Sequence, residues 1–379
     1  MKVLIIGGTG IISSEVCYRG LDCGIDVYIL NRGRNKHMID KRAKLIVADV
    51  VNDSIEELNA KLGDNYFDVV VDFLVLEQTR LKKHLAFLKG KCRQYVFISS
   101  ATAYEKSDEN QVITENTPIG NPKWDYAYNK YICEKYLEEH VAEYNMVYTV
   151  VRPYVTYGKT RIPFAIIPGG ANWTLINRIE NGKPVVLWDE GRAICTLTHT
   201  KDFAVGMVGL WGNEKAYGEA FHITSDFTQT WKEVLEKIIL ATGKNAPVVS
   251  MTSEYIAKNL PEYEGVLFGD KGTNMVFDNS KMKAAVPEFE SKITFEEGIK
   301  DTISYFRKTP EIRNITYGWD GRIDWLVAKF VKENGLDRSL IKKCRLSAYN
   351  EKLTLKQKIA YITNRYGIVR FIMSKIKKG

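Results

Sequence analysis

Two residues one helical turn apart carry the first chemical signal in this chain. Tyr126 and Lys130 lie in Asp125-Tyr126-Ala127-Tyr128-Asn129-Lys130, and a spacing of four puts both side chains on one helical face. A phenol is a poor acid or base near neutrality, because its free pKa is about 10. A neighbouring ammonium favours the phenolate and lowers that value. The pair can therefore exchange a proton with a sugar or alcohol oxygen while a hydride moves. A second signal opens the chain, where Val3-Leu4-Ile5-Ile6 stops at Gly7-Gly8-Thr9-Gly10 and an amphipathic segment, Ile11 to Leu21, follows. Strand, glycine turn and helix in that order let a pyrophosphate reach the backbone and rest on N–H groups at the helix N-terminus. The third position of the repeat is Ser13 rather than Gly. Taken singly, each pattern also fits a plain alternative, a solvated helix face for Tyr-x-x-x-Lys and an ordinary strand-to-helix turn for the glycines.

The elements that must position these residues follow from hydrophobic patterning. Apolar runs at 2–6, 25–30, 44–47, 67–73, 94–99 and 147–151 alternate with helical stretches, of which 134–139 is the most strongly patterned. Several runs are continuous rather than alternating, as in strands covered on both faces. Repeated strand–helix–strand units predict an α/β fold, a doubly wound parallel sheet with right-handed crossovers. From about 159 the pattern breaks at Pro163, Pro168-Gly169-Gly170 and Gly182-Lys183-Pro184. The expected organisation is a Rossmann domain at 1–158 and a smaller α/β lobe at 159–309, some of whose elements return to the main sheet. A helical, basic extension occupies 310–379. Helices are expected near 201–211, 230–242 and 295–308.

Bulk properties narrow the class. The 379 residues suffice for two lobes, and their apolar and charged fractions are ordinary for a soluble protein. Met1-Lys2 leads straight into the first strand, and no apolar run reaches membrane-spanning length, so a cytoplasmic location without signal peptide or spanning helix is expected. The six cysteines are scattered without C-x-x-C, which suits a reducing compartment. No metal site is expected. The net charge of +8 is local: residues 340–379 hold eleven Lys and Arg against one Glu, while the first 339 residues hold 43 basic and 45 acidic residues. An anionic partner should be sought at the tail.

Two further stretches complete a pattern. Tyr95-Val96-Phe97-Ile98-Ser99-Ser100-Ala101-Thr102-Ala103-Tyr104 is a strand ending in hydroxyls, and Val150-Val151-Arg152-Pro153-Tyr154-Val155-Thr156-Tyr157-Gly158 is a strand ending in a turn. Glycine turn, strand-end Ser-Ser, Tyr-x-x-x-Lys and Arg-Pro, in this order, resemble the extended short-chain dehydrogenase/reductase superfamily, in its nucleotide-sugar epimerase, dehydratase and reductase branch. The resemblance spans roughly 1–308. Weaker echoes are Ile113-Thr114-Glu115, His199-Thr200-Lys201-Asp202, Phe221-His222-Ile223 and Asp278-Asn279-Ser280-Lys281. It implies that Tyr126 is the proton donor and acceptor. Lys130 would hold the nicotinamide ribose and lower the tyrosine pKa, and Ser100 would hydrogen-bond the reacting oxygen. Gly7, Thr9, Gly10 and the Ile11 and Ile12 backbone would take the pyrophosphate, and Asp49 with Val50 the adenine. Asn31, Arg32, Phe73, Leu74, Ser99 and Pro153 complete the implied cofactor contacts. Thr102, Asn172, Arg192 and Arg161 are candidate substrate ligands. The resemblance also implies a homodimer and a nucleotide-diphosphate sugar as substrate.

The 2′ group of the cofactor and the reaction remain to be chosen. NAD-preferring members place a carboxylate after the second strand. Here Asn31-Arg32-Gly33-Arg34 follows it, and Arg32 can pair with a 2′-phosphate, so NADP(H) is favoured over NAD(H). The 4,6-dehydratases carry an Asp-Glu pair after the catalytic Thr. Ala101-Thr102 offers none, leaving a 4-epimerase or a 4-keto reductase.

Val155 and Thr156 stand where the family often has Asn, and Cys195 where it often has Arg. Asn31-Arg32-Gly33 and Asp72-Phe73-Leu74 also look like the atypical relatives of chloroplast stem-loop-binding proteins. The alternative is therefore a non-catalytic RNA-binding protein of the same fold. The intact Ser100, Tyr126 and Lys130 set argues for chemistry and against nucleic acid. In the tail, Ile362, Tyr366, Val369, Met373 and Ile376 recur at helical spacing among Lys and Arg. Such a helix suits either an anionic membrane surface, making the protein peripheral to the membrane, or a contact with the enzyme body or another subunit.

Overall fold

The computed structural model describes residues 1–35, 38–106 and 112–366. The chain divides into two compact units. The first comprises Met1–Gly158, Ile194–Thr228 and Phe268–Thr294, and the second Lys159–Ala193, Gln229–Leu267 and Phe295–Gly379.

The main sheet of the first unit has seven strands: Lys2–Ile6 (β1), Asp26–Asn31 (β2), Lys44–Val47 (β3), Phe67–Asp72 (β4), Cys92–Ile98 (β5), Val147–Pro153 (β6) and Glu219–Ile223 (β7). They lie in the order β7-β6-β5-β4-β1-β2-β3, and every neighbouring pair is parallel. The first six match the apolar runs of the sequence. Their continuity has the expected cause, since both faces of the sheet are covered. Val3, Ile5, Val27 and Ile29 pack with Val16 and Cys17 of helix Ile11–Asp22 (α1) and with Phe203 and Met207 of helix Thr200–Gly209. Leu4, Ile6, Leu30, Tyr95 and Phe97 face the other way. They meet Leu58 of helix Ile55–Leu62 (α2), Leu81 and Leu85 of Gln78–Leu88 (α3), and Cys133 and Leu137 of Asp125–His140 (α4). The chain builds outward from β1 through β2 to β3, then returns to place β4 on the other side of β1. That reversal opens a crevice at the carboxyl ends of β1 and β4, the usual ligand position in such sheets.

The second unit is mainly helical. Strands Val185–Trp188 and Val248–Met251 pair in parallel, accompanied by helices Trp173–Glu180, Trp231–Thr242, Phe295–Lys308, Tyr317–Glu333 and Leu355–Arg365. Asp320 and Asp324, one turn apart on Tyr317–Glu333, meet Arg178 at 2.6 and 2.7 Å and Lys183 at 2.5 and 2.8 Å. All four side chains are buried. Tyr349 donates its hydroxyl to Asp320, and Tyr361 donates to Asp324. The two cations and hydrogen bonds hold the Asp320 carboxyl well below the ordinary carboxylate range, against the opposing effect of burial. Gly321 is required where this helix passes Leu355–Arg365, because a Cβ there would lie 2.5 Å from the Tyr361 carbonyl oxygen. The part of the extension within the described residues is thus wired into the core of this unit. Tyr366 closes the described chain, so Val369, Met373 and Ile376 lie outside the described residues. Among the described residues no helix is long and apolar enough to cross a membrane, and no group of His, Cys, Asp and Glu is arranged to hold a metal ion.

Candidate functional site

The glycine turn follows β1 directly. Gly7 and Gly8 have φ of +113° and +79°, and a Cβ on Gly8 would lie 2.6 Å from Ile29 Cγ2. Both therefore need glycine. Gly10 is the N-cap of α1. Its N–H donates to Ser13 Oγ at 2.9 Å, so the serine at the third position folds back on the turn. The N–H groups of Ile11 and Ile12 open the helix, where the dipole favours an anion.

Beside this turn lies a cavity of about 270 Å³ lined by Gly7, Thr9, Asn31, Arg32, Arg34, Asn35, Ala48, Asp49, Val50, Val51, Leu74 and Arg80. Seven of the residues expected to hold a cofactor line it: Gly7, Thr9, Asn31, Arg32, Asp49, Val50 and Leu74. Arg34 and Arg80 were not foreseen. Arg80 sits in the first turn of α3, and its Nη1 donates to the Leu74 carbonyl at 3.1 Å. No local pattern marks such an arginine, because only the packing of α3 beside β4 brings it there. Asn31 is already engaged: its Nδ2 donates to the Gly7 carbonyl at 2.9 Å and its Oδ1 accepts from Gly33 N–H at 2.8 Å. Its side chain ties the glycine turn to the end of β2. Asp49 accepts from Asn52 Nδ2 at 2.9 Å and from Val51 N–H at 3.1 Å. Those bonds, with the more distant Arg32 charge, hold its carboxyl below the usual value. Phe73 follows β4 and packs its Cβ 3.5 Å from where a Cβ on Gly7 would sit. Positive-φ glycines, open helix N–H groups and a cavity flanked by three arginines fit a dinucleotide.

Tyr126 and Lys130 occupy the first turns of α4. The Lys130 ammonium lies 5.9 Å from the Tyr126 ring centroid, and that ring packs 5.1 Å from Trp124. Lys130 is buried, and its Nζ donates to the carbonyls of Val75 at 2.5 Å and Ile98 at 2.8 Å. These acceptors lie just beyond β4 and at the end of β5, so the ammonium is held at the carboxyl edge of the sheet. Two of its three N–H bonds are used. Burial lowers its pKa to about 8, opposed by nearby Cys133, Asp72 and Glu134. Ser100 caps the short turn Ala101–Ala103, and its Oγ accepts from Thr102 Oγ1 at 2.9 Å.

What holds α4 in place was not legible as a motif. Glu134, one turn beyond Lys130, accepts from Arg152 Nη2 at 2.6 Å and from its Nε at 3.1 Å. It also accepts from the Ser99 hydroxyl. Arg152 Nη1 reaches the Tyr104 hydroxyl at 3.1 Å, and His222 Nδ1 lies 3.1 Å from the same oxygen. The arginine of the Arg-Pro stretch thus points into the body and clamps α4 to β6. Pro153, its neighbour, ends β6. The Ser99 side chain is likewise committed to Glu134 rather than turned to the crevice. His199 Nδ1 accepts from Lys201 N–H at 3.2 Å, and Asp202 accepts from the N–H groups of Lys292 and Ile293. That His-x-x-Asp stretch therefore caps and ties loops. Asn172, Arg192 and Arg161 belong to the second unit. There Asn172 Oδ1 accepts from Ile162 N–H at 3.0 Å, and the Arg192 side chain is 75% exposed, with its Nε 3.6 Å from Glu190.

Residues 76–223 match the NAD dependent epimerase/dehydratase family. The chloroplast stem-loop binding protein of 41 kDa b from Arabidopsis thaliana is 26% identical over 259 residues, 65% of this chain and 65% of that protein. The match thus spans just under two thirds of that relative. The UDP-glucose 4-epimerase of Thermus thermophilus, solved with NAD, shares the fold at a TM-score of 0.64 and 20% identity, covering 82% of this chain and 100% of the other. An epimerase of Methanothermobacter thermautotrophicus gives a TM-score of 0.67 at 19% identity, covering 82% and 94%. The parallel sheet, the glycine turn and the Tyr126–Lys130 pair agree with that match: over residues 76–223 the chain is similar to the NAD dependent epimerase/dehydratase family, and over most of its length it shares the fold of solved epimerases.

Proposed function

We propose that this protein is an NAD(P)-dependent nucleotide-sugar enzyme acting at the sugar C4, as a 4-epimerase or a 4-keto reductase. The observation that carries this reading is the placement of Lys130. Its ammonium is pinned to carbonyls at the ends of two adjacent strands, one helical turn from Tyr126 and beside the Ser100 turn. A bound nicotinamide dinucleotide supplies the hydride acceptor or donor. Tyr126 takes the proton from the C4 hydroxyl as the phenolate or returns it as the phenol, and the Lys130 charge stabilises the phenolate. Ser100 Oγ hydrogen-bonds the same oxygen and orients it. Gly7, Gly10 and the open end of α1 hold the pyrophosphate, with Asp49 and Val50 on the adenine side.

Arg32, Arg34 and Arg80 around one cavity support NADP(H), because a 2′-phosphate pairs with guanidinium groups where a carboxylate would repel it. This in turn favours the reductase, which needs exchangeable reductant. Cytoplasmic location, a homodimer and contact of the basic tail with an anionic membrane belong to the same reading.

Mass spectrometry of the purified protein, followed by assays with UDP-glucose and the corresponding 4-keto sugar, tests it. A dinucleotide that co-purifies and survives turnover supports the epimerase. An empty site that consumes added NADPH supports the reductase. Tyr126→Phe should lose activity at least a hundredfold while still binding dinucleotide. Retained turnover in that variant refutes the reading, and salt-dependent RNA binding without any sugar turnover would favour the non-catalytic alternative.

A further inference from the structure

The turn that carries Ser100 and Thr102 is tied to a cluster of charged groups that the proposed chemistry does not use. Asn121 makes the tie, its Nδ2 donating to the Thr102 carbonyl at 2.9 Å and to the Gly269 carbonyl at 2.7 Å. Asp270 and Lys271 come next in the chain. The Lys271 ammonium pairs with Asp270 Oδ2 and lies 3.4 Å from the Tyr154 hydroxyl. Tyr154 follows Pro153 at the end of β6, alongside the β5 end that leads into Ser100. Lys106 completes the group. Its Nζ stands 3.9 Å from Asp270 Oδ1, and the two side chains are 3% and 2% exposed.

The valences of this pair are unfilled in a specific way. Among the described residues, the hydrogen bond of the Lys106 ammonium goes to the thioether of Met275 at 2.8 Å. A thioether is a weak acceptor for a buried charge. Asp270 Oδ1 finds no hydrogen-bond donor among the described residues. One side therefore needs an acceptor and the other a donor. A carboxylate or phosphate would satisfy Lys106 but set its charge against Asp270. An apolar group would satisfy neither. A hydroxyl accepts from the ammonium and donates to the carboxylate at once.

We propose that Lys106 and Asp270 clamp a non-reacting hydroxyl of the substrate hexose, with Lys271 holding the Asp270 carboxylate in place. The clamp rests on the proposed function, because that reading puts the reacting sugar carbon at Ser100 and Tyr126. It makes the pair a determinant of which sugar is accepted.

The test measures KM and kcat for UDP-glucose and its 3-deoxy and 6-deoxy analogues, in the wild type and in Lys106→Met. The expected result is a KM for UDP-glucose raised about tenfold or more by the substitution, with no change for the one analogue that lacks the clamped hydroxyl. An equal rise for all three sugars, or no rise, overturns the clamp and makes Lys106 structural. Should Lys106→Met fail to fold, calorimetry on the wild type decides. Binding of one deoxy analogue about tenfold weaker than the parent supports the clamp, and equal binding of all three overturns it. A wild type that binds dinucleotide but neither binds nor turns over any of the three sugars removes the proposed function and the clamp with it. Turnover with the wrong pattern removes the clamp alone.

Discussion

Glu134→Gln is the sharpest test of how the site is held. The substitution keeps size and shape but removes the charge that faces Arg152. In the wild type one buried carboxylate takes N–H bonds from Arg152 at 2.6 and 3.1 Å and the hydroxyl of Ser99. An amide keeps one acceptor oxygen and sets an NH₂ against either the guanidinium or the hydroxyl. Arg152, also buried, is then left without a full counter-charge. Breaking a buried pair from one side costs about 3–5 kcal/mol, so the free energy of unfolding in denaturant should fall by about that amount. Tyr126 and Lys130 ride on the same helix, two turns and one turn upstream. A shift of that helix by a fraction of an ångström misplaces the phenol, and kcat should fall about ten- to a hundredfold. The double variant Glu134→Leu/Arg152→Met separates the two effects. Replacing both charges by apolar groups should restore most of the stability. It leaves the Ser99 hydroxyl without its carboxylate and Tyr104 with only His222, so kcat should stay low. A Glu134→Gln protein within about 0.5 kcal/mol of wild type, with unchanged kcat, would refute the reasoning.

Three other outcomes are expected. Lys183→Met removes one of two cations from a pair of buried carboxylates and should cost about 3–5 kcal/mol at pH 7. The surviving excess of negative charge raises a carboxyl pKa above its unfolded value, so the deficit against wild type should shrink as pH falls through that raised pKa. A constant deficit from pH 7 to pH 4 in thermal melts would contradict this. With the Lys130 pKa lowered to about 8, the ammonium is lost as pH rises above that value, so kcat/KM should fall on the alkaline side near pH 8–9. Lys130→Arg, always charged, should lack that limb in a pH–rate profile, whatever its overall rate. For the tail, a cut after Tyr366 spares Tyr349 and Tyr361, whereas a cut before Leu340 strips both from Asp320 and Asp324. The short deletion should melt like wild type and lose sedimentation with phosphatidylserine vesicles at low salt. The long one should unfold the second unit. Equal vesicle binding by the short deletion and the intact protein would exclude the tail as a membrane anchor.

The parts of the molecule written in local spacing were legible before any coordinates. The strand runs carry continuous apolar residues because helices cover both faces of the sheet. The glycine turn is legible because only glycine tolerates the φ values at Gly7 and Gly8. Tyr126 and Lys130 could be paired because a helix brings residues four apart together. The helix at 317–333 was harder to read, since its buried face includes two aspartates whose charge is met only in three dimensions. The same applies to Glu134, whose place in the helical stretch 134–139 was evident and whose partners were not.

By itself, then, the order of residues along this chain determined the parallel sheet, the glycine turn and the Tyr126–Lys130 pair, because each depends on neighbours within a few positions. Tertiary structure alone decided what holds and surrounds them. Arg152 turns inward to Glu134, Asn31 ties the glycine turn to β2, Arg80 joins the cavity, and Lys106 meets Asp270 across 164 positions. Those partnerships join polar groups apart in sequence, and in a low-dielectric interior a polar or charged group is tolerated only where folding brings a partner within reach.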